Sequence, residues 1–154
     1  MLLPVELYRE VVDAMPILCV DLVLRDPNGK YLLVKRKNEP AKDRWWIPGG
    51  RLLKGETLEQ GAVRQARKEL GLEIKALAPM GYYERHWQAS PFGLESGHHT
   101  VSLVFAGRML IRDSGSGFGT GAIILDDQHS EWGFFGSLPL DLEILPFGVA
   151  NAGA

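Results

Sequence analysis

Apolar residues recur at helical spacing at the start of the chain. Val5, Tyr8, Val11, Val12 and Met15 fall on one face, which predicts a short amphipathic helix over residues 4–15, ended by Pro16. Residues 17–25 are rich in β-branched and apolar residues, hence a strand. Asp26-Pro27-Asn28-Gly29 is a strong turn signal, and residues 31–37 return as a second strand. Trp45-Trp46-Ile47 reads as a third short strand, broken by Pro48-Gly49-Gly50. Over residues 55–71 the period becomes helical again. Leu58, Ala62, Val63, Ala66 and Leu70 make one face, Glu59, Arg64, Arg67 and Lys68 the other, and Gly71 is placed as the stop. Further strands are expected around residues 74–87, 99–111 and 131–135, and a final turn or short helix over 138–145. This mixture of sheet, one strong central helix and a terminal element predicts an α/β protein, an α/β/α sandwich with a mixed sheet.

Composition narrows the setting. The 154 residues suit one domain, 1–154, with one sizeable core. A net charge of −2 favours neither a broad nucleic-acid surface nor a membrane surface, so positive charge for an anionic substrate has to be concentrated locally. No apolar run approaches the ~20 residues of a membrane span. Glu6, Arg9, Glu10 and Asp13 interrupt the start, which argues against a secretory signal. Cys19 is the sole cysteine, so no internal disulfide forms and a reducing, cytoplasmic setting is expected. The Gly- and Ser-rich stretch 113–121 reads as a mobile surface loop.

The candidate chemistry lies in the central segment. It runs Gly50-Arg51-Leu52-Leu53-Lys54-Gly55-Glu56, then seven residues, then Arg64-Gln65-Ala66-Arg67-Lys68-Glu69-Leu70-Gly71-Leu72. A loop followed by a helix presents side chains one turn apart to a common point, which suits a hard cation with oxygen ligands. This segment resembles the Nudix box, matching it at six positions across residues 50–72: Gly50, Glu56, Arg64, Glu69, Gly71 and Leu72. Glu56 and Arg64 are expected to form an ion pair that braces the loop against the helix. Two of the three carboxylates of the usual metal cluster are replaced, by Gln65 and Lys68, which leaves Glu69 and points to one Mg²⁺ rather than several ions.

The same loss marks the GDP-mannose mannosyl hydrolase family within the Nudix superfamily. The chain resembles that family over roughly residues 3–135: in Val20-Asp21-Leu22, Val34-Lys35-Arg36, Asn38, Pro40-Ala41, Trp46-Ile47-Pro48-Gly49-Gly50-Arg51 and Asp127-Gln128-His129 with Glu131-Trp132. The resemblance implies a Nudix fold and a Mg²⁺ ion held by the Gly49 carbonyl, Glu69 and Gln128. It implies His129 as general base on water, Arg36 and Arg51 on the diphosphate and leaving-group charge, and Asp21 orienting substrate. His86 matches a family histidine if a one-residue gap is allowed, and Thr100 stands where the family has a phosphate-contacting tyrosine. The implied substrate is a nucleotide sugar, hydrolysed at the anomeric carbon, and the implied assembly is a homodimer. A nucleoside diphosphate is already a good leaving group. The chemistry then needs charge neutralisation and a base near neutral pH, a role that suits histidine.

Plainer readings stand beside these. Arg36 ends an apolar strand and would also snorkel to solvent. Gln128 alone would be loop decoration. His98-His99 is not expected to share an ion, because neighbours on a strand face opposite ways. Trp45, Trp46, Trp87, Trp132, Tyr82 and Tyr83 are candidates for core or for stacking on a base, without a choice among them. Two other functions compete: a conventional pyrophosphohydrolase that attacks phosphorus, and a catalytically silent nucleotide-binding module.

Overall fold

The computed structural model describes residues 3–109 and 123–148. The expected loop 113–121 lies outside the described residues. Helix α1 spans Val5–Ala14 and strand β1 Ile17–Leu24. Asp26 then turns the chain: its Oδ1 accepts from the Asn28 and Lys30 amides at 2.9 and 2.8 Å. Strands β2 (Tyr31–Arg36), β3 (Trp45–Trp46) and β4 (Gly49–Arg51) follow. The break expected at Pro48-Gly49-Gly50 is a change of sheet. After Pro48 the chain pairs again, now antiparallel to β1 with Gly49 opposite Asp21.

Helix α2 spans Leu58–Leu70. Thr57 and Gln60 close a capping box at its start, and Gly71 takes a left-handed φ of 65° at its end. Strands β5 (Ile74–Trp87), β6 (His98–Met109) and β7 (His129–Phe135) complete the described elements.

Two sheets result. One is mixed, in the order β4-β1-β6-β5, with β1 and β6 parallel; the other is β3-β2-β7, antiparallel. The central strand β1 is buried on both faces from Val20 to Leu24, which explains why it is apolar there at every position but Asp21. One core cluster packs Val20, Leu22, Leu32 and Val34 against Ala62, Ala66 and Leu70 of α2. A second lies around Val23, Leu33, Trp46, Tyr83 and Val104, and is covered by Leu138, Leu142 and Ile144. Residues 138–145 are irregular around a turn at Leu140 and Asp141, and Leu145 bridges to Tyr82. Among the described residues no helix is long and apolar enough to cross a membrane.

Candidate active site

The loop between β4 and α2 is held from both ends. The Arg64 guanidinium pairs with Glu56, donates from Nη2 to Glu56 Oε2 at 3.0 Å, and reaches the Arg51 carbonyl at 3.0 Å. Glu56 also accepts from the Leu53 amide at 2.9 Å. The brace expected from the sequence is therefore formed. Gly49 has no room for a side chain: a Cβ there would lie 2.1 Å from Asp21 Oδ1 and 2.5 Å from Asp21 Cα, at φ 151°. Gly49→Ala is expected to lose roughly 1–3 kcal/mol of stability through this clash. A thermal melt checks it, and an unchanged midpoint would refute the packing argument.

Helix α2 buries two polar residues, Gln65 and Glu69, on the face it turns to the sheet. Glu69 Oε2 accepts the Gly49 amide at 3.0 Å. Beside it stand Asp126 and His129, and one ligand atom from each of the three lies within 4.8 Å of the others. His129 is buried, and its Nδ1 is 2.7 Å from Asp126 Oδ1. Asp126 Oδ2 is buried with no partner among the described residues, and so is Gln65 Oε1. Burial pushes the Glu69 carboxyl up to about 8, with the charges of Asp126 and Asp21 adding to it. Burial lowers the His129 pKa, opposed by its hydrogen bond to Asp126.

Eight of the nine residues expected at the site line a single cleft of about 410 Å³: Asp21, Arg36, Gly49, Arg51, Glu69, Thr100, Gln128 and His129. Arg36 is the register partner of His129 across β2 and β7. Its Nε donates to the Pro40 carbonyl at 2.7 Å. The loop supplying that carbonyl holds Ala41 and Asp43 at φ 64° and 62°, a strained geometry for residues with a Cβ. Arg51 stacks over the Tyr8 ring at 4.9 Å. Gln128 Oε1 accepts from Asn38 Nδ2 at 2.6 Å. Thr100 Oγ1 accepts from the Trp87 indole at 3.2 Å. Asp21 is buried and accepts from the Tyr83 hydroxyl, which also accepts from Trp46 Nε1 at 3.1 Å. Burial raises the Asp21 pKa to about 6 against that hydrogen bond.

His86 does not line this cleft. It is exposed, stacked on His99 at 4.0 Å, and both imidazoles approach Glu84, at 3.2 and 2.7 Å. His98 lines the cleft, so the two neighbouring histidines do face apart. The sequence reading missed Asp126. The signal it left is an acidic residue three positions before His129, on the turn that leads into β7.

The buried oxygens suit a hard divalent cation. Two like-charged carboxylates in a dry corner repel, and Asp126 and the Gln65 amide each keep a buried oxygen with no partner among the described residues. Without the cation Glu69 keeps its proton in the fold and releases it at an ordinary value of 4.5 when unfolded. Stability of the metal-free protein should therefore fall as pH rises from 4.5 to about 8. Added Mg²⁺ should raise the melting temperature more at pH 8 than at pH 6. Melts with chelator and with Mg²⁺ check this; a metal effect independent of pH would refute it.

A model of the NUDIX domain matches residues 15–139. The chain belongs to the Nudix family. A relative, the low-salt glycan biosynthesis protein Agl8 of Haloferax volcanii, is 32% identical over 130 residues, covering 84% of this chain and 76% of that protein. The ADP-ribose pyrophosphatase of Methanocaldococcus jannaschii is 39% identical over 90 residues, 58% of this chain and 49% of that protein. The Nudix fold is seen again in a solved structure of a MutT NUDIX hydrolase from Burkholderia pseudomallei. It has a TM-score of 0.63 at 24% identity, over 84% of this chain and 91% of that one. The chain is thus a Nudix hydrolase by family, with Asp126 and His129 grouped beside Glu69 of the box.

Proposed function

We propose that this Nudix hydrolase splits a nucleotide sugar of the GDP-mannose class at the anomeric carbon, giving the nucleoside diphosphate and free sugar. The observation that carries the reading is the buried Asp126–His129 pair beside Glu69, the one carboxylate retained at the cluster positions of the box. Glu69, the free oxygen of Asp126 and the Gln65 amide oxygen would hold Mg²⁺, with the Gly49 carbonyl and Gln128 as the further ligands the resemblance implies. When bound, the ion supplies Lewis-acid neutralisation of the diphosphate.

The protein's own groups do the rest. Burial keeps His129 neutral near pH 7, as a base must be. The Nδ1 proton goes to Asp126 Oδ1, which leaves Nε2 with the lone pair. Nε2 takes a proton from water as the water oxygen bonds to the anomeric carbon and the bond to the phosphate oxygen breaks. The carboxylate of Asp126 then stabilises the imidazolium. Arg36, beside His129 in the register, and Arg51 hold the charge left on the departing diphosphate. Direct attack inverts the anomeric centre.

A second reading has its own support. Asp126 gives the corner a second carboxylate, and the Methanocaldococcus relative is named for pyrophosphatase action on ADP-ribose. The two are separated by products. GDP-mannose with Mg²⁺ should yield GDP and mannose, and water labelled with heavy oxygen should mark the sugar. GMP and mannose 1-phosphate, with label on phosphate, would establish attack at phosphorus instead.

A further inference from the structure

The cleft extends well beyond the metal corner. Alternate residues of a strand share a face, and His98, Thr100 and Ser102 of β6 all line the cleft. β6 runs parallel to β1 with Val104 opposite Asp21, and Asp21 is opposite Gly49, which binds Glu69. His98 is therefore six residues along the strand from the level of the metal corner. At the rise of a β-strand this is roughly 20 Å. The polar floor thus has Glu69 and His129 toward one end and His98 at the other. Beyond the effect of burial, the Arg36 charge reaches the histidines at both ends.

His98 is 6% exposed, and its Nδ1 has no partner among the described residues. A buried ring nitrogen without a partner is uncommon, and this one belongs to a ring that lines the cleft. Two half-buried rings border the same cleft. Trp87 is fixed by its hydrogen bond to Thr100 at 3.2 Å, and Tyr8 lies under Arg51. Tyr83 is excluded from stacking on a ligand, because it is buried between Asp21 and Trp46.

We infer that this end of the cleft is the nucleobase subsite, where His98 hydrogen-bonds the edge of the base and Trp87 and Tyr8 pack on its apolar surface. The inference rests on the proposed function. With the anomeric carbon at His129 and the diphosphate at Arg36, the nucleoside is the part left to reach His98. A neutral imidazole offers one donor and one acceptor, which matches the mixed pattern of a base edge. His98 is thereby a specificity-determining residue.

Calorimetry with Mg²⁺ tests this on the wild type, His98→Ala and His98→Asn. The probes are guanosine, adenosine and uridine diphosphates, and inorganic pyrophosphate. The wild type should prefer one base. His98→Ala should weaken that nucleotide about tenfold or more and leave pyrophosphate unchanged, while His98→Asn, able to hydrogen-bond, should recover part of the loss. Thermal melts confirm that both variants fold. Unchanged nucleotide affinity in His98→Ala overturns the inference. Equal weakening of pyrophosphate also overturns it, by making His98 a phosphate or packing residue. Loss of nucleotide-sugar affinity with nucleoside diphosphate affinity intact moves His98 to the sugar and overturns it too. Wild-type turnover of a nucleotide sugar is measured separately, so failure of the parent reading shows there, whatever His98 does.

Discussion

Glu69→Gln is expected to lower turnover by about 10³-fold, near 4 kcal/mol of transition-state stabilisation. The substitution keeps the shape and keeps an acceptor for the Gly49 amide, so the fold should survive. What it removes is the one carboxylate left at the three positions of the usual metal cluster, since Gln65 and Lys68 hold the other two. Mg²⁺ affinity should fall together with activity, because Asp126 and neutral oxygens cannot replace that charge at such depth. In the absence of metal the variant should be more stable than the wild type at pH 8, since a buried carboxyl displaced to about 8 has gone. Metal titration by calorimetry, beside steady-state kinetics and melts, distinguishes these effects. An unchanged titration would remove Glu69 from the ion and leave the proposed site without its anchor.

Much of this architecture is legible in the residues, and the reasons differ by element. The helix α2 announces itself through its period, its capping box and Gly71, all of them local signals. The turn at Asp26 is equally local. The pairing of β4 with β1 is not, because three residues around two glycines carry no strand period; the register comes from Gly49 fitting against Asp21 at a distance no side chain tolerates. The apolar stripe of α2 also hid its active edge. Gln65 and Glu69 lie off the apolar stripe that the period picks out, yet they are buried, and both line the cleft. The motif located Glu69, and the resemblance located Arg36, Arg51 and His129 in the same cleft. Asp126 escaped because half of its setting is distant in sequence: beside the nearby His129 it meets Glu69, which α2 supplies.

His129→Gln is expected to reduce kcat by about 10²-fold or more with little change in KM, the pattern of a lost proton acceptor. The contrast with Asp126→Asn gives the test its force. His129 is read as meeting the water and Asp126 but not the ion, so its loss should leave Mg²⁺ affinity largely intact. Asp126 serves two partners at once: Oδ1 holds the imidazole at 2.7 Å, and Oδ2 faces the cation site with no partner among the described residues. Asp126→Asn should therefore weaken metal binding roughly 10- to 100-fold as well as slowing turnover. It should also lower the apparent pKa of the base limb in the kcat profile, because the carboxylate that favours imidazolium is gone. Equal metal affinity in both variants would reduce Asp126 to a tether for the histidine. Full activity in His129→Gln would leave the cleft without a base where the geometry puts one, and attack at phosphorus would then be the better account of the same residues.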